Sequence, residues 1–205
     1  MRIGFNWRRL ALGLGAVLAA TAMTGCMSIK PYVGGGVRDV PASEYVKPNP
    51  SHAVQVLFNF QTKGVDNARV TAALKARVID QINASHLFDS VSETPVPGGA
   101  LLVVSVNNVS LDDSAYSKGF ATGLTLGLAG TVAGDGYIAT AKYTPPPPAG
   151  TITKEVRHSI LTTIGNHDAP AGAVPAASMD EAVSTMLHQL ISNVLNDISH
   201  DPAFK

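Results

Sequence analysis

One thiol stands among 205 residues, Cys26, at the end of the stretch TAMTGC from Thr21 to Cys26. A lone cysteine has no internal disulfide partner, and an unpaired exposed thiol is a liability in an exported protein. The chemistry left to it is that of its thiolate, a strong nucleophile that accepts an electrophilic group. Other reactive patterns are absent: the chain has no H-E-x-x-H, no G-x-S-x-G and no glycine loop ending in Gly-Lys-Ser or Gly-Lys-Thr. Its six histidines are scattered. His200 lies near Asp197 and Asp201, a grouping that would chelate a metal only weakly, and a histidine interacting with the dipole at a helix C-terminus is the simpler reading. His158 sits in a strand-like run, and His167 stands beside Asp168 in a loop-like one, each without partners at a useful spacing. The expectation is therefore no catalytic residue, no metal and no cofactor, with a hydrolase site assembled from distant residues as the remaining enzymatic reading.

The residues before Cys26 set its chemistry. Met1 to Gly25 starts with Arg2, Arg8 and Arg9 and no acid, then runs LALGLGAVLAATA from Leu10 to Ala22. A cationic start, a short apolar stretch and small residues are the order of a secretory signal. The 13 apolar residues fall short of the ~20 that a membrane-crossing helix requires. Trp7 precedes the Arg8-Arg9 pair and the rest of a twin-arginine motif is missing, so ordinary Sec export is expected.

Met23-Thr24-Gly25-Cys26 resembles the lipobox of bacterial lipoproteins, with Met23 in place of the usual leucine. The resemblance implies cleavage between Gly25 and Cys26, a diacylglyceryl group on the cysteine sulfur and acylation of the new amino terminus. Each buried methylene contributes ~0.8 kcal/mol, so three chains hold such a protein on its membrane. Met27 follows the cysteine where an aspartate would imply retention at the inner membrane. The resemblance therefore implies a Gram-negative outer membrane and a periplasm-facing domain. The competing reading is a secreted protein cut nearby, with Cys26 a spare thiol.

Processing at Gly25 would remove three basic residues and no acids from 15 of each, leaving 12 against 15 and a net charge of −3. No basic block or stripe remains, which argues against nucleic acid as a partner. From Met27 to Pro50 the chain shows no strand or helix period, a triple glycine at Gly34 to Gly36, and Pro31, Pro41, Pro48 and Pro50. Residues 26–50 are thus expected to be a lipidated, flexible tether with an r.m.s. reach of roughly 25 Å. Docking of Tyr32, Val33, Tyr45 and Val46 on the domain is the alternative.

Residues 51–205 carry the periodic elements. Val54, Val56, Phe58 and Phe60 alternate as in a half-buried strand. Gly64 to Asn67 supply a break and a cap, and Val70, Leu74, Val78 and Ile82 then recur as one helix face. LFDSV, Leu87 to Val91, is expected to be a strand. Ala100 to Leu111 is apolar enough to suggest a central strand covered on both sides. Gly136 to Tyr143 and Thr151 to Ile164 are β-rich and joined through Pro145 to Pro148, expected to be a stiff hairpin loop, with a polyproline ligand as the alternative. Ser178 and Glu181 form a capping-box pair before a stripe of Val183, Met186, Leu187, Leu190, Ile191, Val194, Leu195 and Ile198, ended by Pro202. The order predicts an α+β fold: a mixed, mostly antiparallel sheet with two helices packed on one face, after a signal peptide and a flexible tether. Val54 to Val91 resembles the N-terminal domain of TolB and the periplasmic domain of the curli-secretion lipoprotein, a likeness of fold alone.

The segment 117–136 is expected to be a glycine-rich apolar insertion. Gly119 to Gly134 holds no charge in 16 residues, and Gly119, Gly123 and Gly127 recur at every fourth place. As a helix it would bring a small-residue face to a neighbour but span only about 24 Å. As a strand pair, Phe120, Leu124, Leu126, Leu128 and Val132, with Thr122, would face lipid, as in barrel hairpins; a plain connection is the third reading. Gly119, Gly123, Leu124, Leu126, Gly127 and Leu128 are the candidates for membrane contact or self-association. The function expected is that of a non-catalytic binding or structural component of the envelope, held on the membrane by its N-terminal lipid and partnered by itself or another envelope protein. The alternative is a subunit of an oligomeric secretion or transport channel that inserts a hairpin into the outer membrane.

Overall fold

The computed structural model describes residues 29–111, 132–146, 150–165 and 171–204. Their strands are β1 (Ile29–Val33), β2 (Val54–Thr62), β3 (Val65–Asp66), β4 (Val91–Ser92), β5 (Ala100–Ser110), β6 (Val132–Thr144), β7 (Ile152–Ile164) and β8 (Val174–Pro175). The helices are α1 (Ala68–Ala84) and α2 (Met179–Ser199). The strands form one mixed sheet in the order β3-β2-β5-β6-β7-β1-β8, with β4 also paired to β2. Only the pairings of β2 with β4 and with β5 are parallel, and the others are antiparallel. Both helices pack on one face, so the α+β architecture anticipated from the sequence is the one observed.

Alternation dictates which side chains meet the helices. Val54, Val56, Phe58 and Phe60 of β2, Ala100, Leu102, Val104 and Val106 of β5, and Ala139, Ala141 and Tyr143 of β6 all enter the core. Against them lie Leu74, Val78 and Ile82 of α1 and Met186, Leu187, Leu190, Ile191, Val194, Leu195 and Ile198 of α2. Each helix starts on a side-chain cap: Asn67 accepts the Val70 amide at 3.2 Å, and Ser178 accepts the Glu181 amide at 3.1 Å. The Glu181 carboxylate reaches back to the Ala177 amide at 2.8 Å, one residue before the usual capping-box partner. The helices are tied to each other by the Arg77–Asp180 ion pair at 2.9 Å and by Gln81 donating to the His188 carbonyl at 2.7 Å.

Four expectations are corrected. Residues 29–50 are not a tether. β1 pairs with β7 over five residues, and Tyr32, Val33 and Val40 are buried. Residues 34–50 then form a strap along α2: the Val40 and Val46 amides donate to the Ser192 and Ser199 hydroxyls at 3.3 and 3.2 Å, and Asn193 donates to the Arg38 carbonyl at 2.6 Å. Both serines also donate to carbonyls of their own helix, three residues back, so each satisfies helix and strap together. The triple glycine serves close packing. A Cβ on Gly34 would lie 2.2 Å from the Ser159 hydroxyl, and one on Gly35 would lie 2.1 Å from the Gly172 carbonyl oxygen. The docking alternative holds for Tyr32 and Val33, and Tyr45 packs against the core, while Val46 is exposed.

LFDSV is a strand only at its end: Leu87 and Phe88 turn into the core, and β4 begins at Val91. β5 is central as anticipated, but only its helix-facing side is buried along its length, while Leu101, Val103 and Ser105 on the other side are half-exposed. The insertion expected over 117–136 is shorter, because residues 132–136 belong to β6. Gly134 lies where a Cβ would meet Leu111 at 2.9 Å and Leu161 at 3.1 Å, so its absent side chain lets those two leucines close over the strand.

Candidate functional site

Cys26 and Gly25, and likewise Gly119, Gly123, Leu124, Leu126, Gly127 and Leu128, lie outside the described residues. The residues at which those stretches join the fold are described, and they converge. Ile29 opens β1 opposite Ile164, the last residue of β7. Val132 opens β6 opposite Thr163, and the Leu111 amide, just past β5, donates to the Gly134 carbonyl at 3.3 Å. The chain segments leading to Cys26 and to residues 112–131 therefore leave the same end of the sheet. Nothing in the spacing along the chain announced this, since the juxtaposition is made by the pairing of β7 with both β1 and β6.

At this end two large apolar side chains face water: Ile29 is 62% exposed and Ile164 38% exposed. Beneath them, on the sheet face away from the helices, Tyr32, Val109, Leu111 and Leu161 form a second small core, with Ile138 and Ala173 against it. The Thr163 hydroxyl is buried there without a hydrogen-bond partner.

The rest of that face mixes the exposed Leu57 and the half-exposed Leu101 and Val103 with polar side chains that pair with one another. Ser105 donates to the Asn59 side-chain oxygen at 2.5 Å, and Asn59 and Gln61 both donate to one carboxylate oxygen of Asp66 at 3.1 and 3.0 Å. The Gly64 amide donates to Asn107 at 2.9 Å, and Arg157 pairs with Glu155 at 2.9 Å. Asn59 and Gln61 occupy off-phase positions of β2, and Ser105 and Asn107 lie in the polar second half of ALLVVSVNNVS. Their chemistry is that of hydrogen-bonding surface, with no nucleophile placed against a base.

The opposite, lower end of the sheet is closed by aromatic rings. Tyr143 and Phe204 have centroids 4.9 Å apart, with Phe88 6.0 Å from Tyr143. The Tyr143 hydroxyl lies 2.5 Å from His52 Nε2. Burial pushes the Tyr143 hydroxyl pKa up, so it remains protonated and donates to the imidazole. Burial likewise lifts the hydroxyl of Tyr45 to about 12, and it donates to the Val40 carbonyl at 3.3 Å.

His158 is buried between β7 and α2. Its Nδ1 accepts the Ser159 amide at 2.9 Å, and its Nε2 lies 2.5 Å from the Gln189 oxygen. An acceptor at Nδ1 and a donor at Nε2 define one neutral tautomer, sealed from solvent. Desolvation lowers its pKa, offset in part by Gln189 and by Asp39. His200 has the helix-end role anticipated for it, with Nδ1 3.0 Å from the Asn196 carbonyl.

Among the described residues no cluster of three or more His, Cys, Asp and Glu side chains is placed to hold a metal ion. Among the same residues no helix is long and apolar enough to cross a membrane, which says nothing of strands. Compared with protein-family models and with curated proteins, the chain matches none.

Proposed function

We propose that the chain is a lipid-anchored component of a bacterial envelope, held on the periplasmic face of an outer membrane through Cys26 and acting by binding rather than by catalysis. The observation that carries this reading is the sole cysteine at the end of a signal-like stretch, directly after Met23-Thr24-Gly25. The open face of the sheet supports a binding role, since it combines exposed and half-exposed apolar side chains, Leu57, Leu101 and Val103, with a paired polar network of Asn59, Gln61, Asp66 and Ser105. Partners are a membrane and an envelope protein or a second copy, through the stretch from Gly119 to Leu128. The test is a Cys26→Ser variant expressed in a Gram-negative host. It is expected to leave the membrane fraction and to lose the added mass of lipid on the mature chain. A variant that stays on the membrane, with a parent protein of unmodified mass, contradicts the anchor.

A second reading, an oligomeric channel subunit, draws on one specific observation. Residues 112–131 connect β5 to β6, antiparallel neighbours in register up to Ser110 opposite Asp135. An insertion at that point is set in a hairpin connection, the topology from which an inserted pair of strands extends. Native mass in mild detergent separates the two: a ring of many subunits with conductance in a planar bilayer favours the channel, and a monomer or dimer without conductance favours the binding component.

A further inference from the structure

Two residues, Met27 and Ser28, separate Cys26 from the first residue of β1. At ~3.3–3.6 Å per residue at most, Cys26 and Ile29 are no more than about 11 Å apart. A tether of 25 residues would let the domain tumble free of the lipid; one this short does not. The polar layer on each side of a bilayer is roughly 5–8 Å thick, from a ~30 Å hydrocarbon core within ~40–45 Å overall. A lipid on Cys26 therefore holds Ile29 in or at the headgroup layer, and whatever surrounds Ile29 is held there with it.

What surrounds Ile29 fits that layer. Its register partner is Ile164, and this pair of β-branched side chains projects into water at the sheet end, outside both cores. Lys30, the next residue of β1, is exposed and sits opposite Thr163, on the other face of the sheet from Ile29 and Ile164. From that other face of the same sheet end a long basic side chain can extend its ammonium to the phosphate level.

We infer that the end of the sheet carrying Ile29, Lys30 and Ile164 is a docking surface for a phospholipid headgroup layer, and that the domain stands on its membrane with this end down. The inference rests on the anchor reading above. It also fixes what faces the periplasm. β7 spans 13 residues, which at ~3.3 Å per residue carries the β6–β7 turn and the Tyr143–Phe204 end about 40 Å away from the lipid. Partners that contact the folded sheet would then meet it from that far end or along the open face, while residues 112–131 depart from the membrane end.

The test uses the full chain, lipidated in its host and reconstituted in vesicles of phosphatidylethanolamine and phosphatidylglycerol. Cys26 is occupied by lipid, so a single new cysteine, Ile164→Cys or Ile29→Cys near the membrane and Thr151→Cys at the far end, takes a nitroxide label. Accessibility to oxygen and to a water-soluble nickel chelate is read by electron paramagnetic resonance. Labels at 164 and 29 are expected to lose nickel accessibility and gain oxygen accessibility relative to the label at 151. Insertion of about twenty Gly and Ser residues between Ser28 and Ile29 restores a reach of roughly 25 Å and should abolish the difference while the protein stays bound. Equal accessibility at 164 and 151 in a protein whose mass includes the lipid overturns the docking surface and leaves the anchor standing. Spin–spin broadening at 164 would assign the surface to a second copy instead and overturn the lipid contact. A mass without lipid overturns the anchor and the docking surface together.

Discussion

At the residue scale, His158 shows how a buried polar group is kept without cost to the fold. Both ring nitrogens are paired, one with the Ser159 amide and one with Gln189, so burial leaves nothing unsatisfied as long as the ring is neutral. Protonation at Nδ1 would break the Ser159 bond and place a charge in the core. Desolvation accordingly holds its folded-state pKa below the ordinary histidine value of about 6.5. Above that value both folded and unfolded chains carry a neutral ring. As pH falls through it the unfolded chain takes a proton that the folded chain refuses, so stability declines toward acid, by at most about 1.4 kcal/mol per pH unit, until the lowered folded pKa is reached. Urea denaturation at about pH 7.5 and about pH 5.5 should show this loss in the parent and a smaller one in His158→Gln. Matching pH dependence in the two proteins would contradict the assignment.

At the element scale, the segment from Ile29 to Pro50 is held by features that look like flexibility in the sequence. Gly34 and Gly35 are followed by Gly36, with φ of +94°, and the three together pass the chain from the sheet edge onto α2. The Gly35 position is the most constrained, because the atom that a Cβ would strike is a backbone oxygen of Gly172, which cannot rotate away as a side chain can. Gly35→Ala should therefore force apart the contact between the strap and the β8 loop, destabilising the protein by about 1–3 kcal/mol. Thermal denaturation measures this. An unchanged melting temperature would mean that the loop moves freely and that the strap is weakly held.

At the scale of the whole molecule, the strap and β1 belong to the fold. A protein starting at Ser51 would lose Tyr32, Val33 and Val40, each burying side-chain surface worth roughly 1.5–3 kcal/mol. It would also leave β7 as an edge strand without its five-residue partner. The sum is comparable with the total of about 5–15 kcal/mol that holds a domain together. Removal of residues 1–28 should leave the cooperative unfolding transition of the domain intact, whereas removal of residues 1–50 should abolish it. Circular dichroism during urea titration distinguishes the outcomes, and a stable protein starting at Ser51 would restore the tether. The same architecture leaves two residues between Cys26 and β1, so the proposed lipid on Cys26 would make orientation on a membrane follow from the fold.

The sequence by itself determined the parts whose pattern is local. The alternation of Val54 to Phe60, the four-residue recurrence from Val70 to Ile82 and the stripe after Ser178 each place an apolar face through backbone geometry alone, and the strands and helices followed them. The proposed reading of Cys26 is likewise local, resting on the three residues before it, and lies outside the described residues. Only the tertiary structure decided the rest. Ile29 to Val33 has no distinctive alternation and becomes a strand because β7 offers it an open edge. Leu87 and Phe88 look like strand residues but fill the core beside α1, because packing outranks β-propensity where a short connection must close. The common exit of the two segments at one sheet end follows from which strands are neighbours, a non-local choice made by burial of the whole apolar surface at once. No window along the chain contains it.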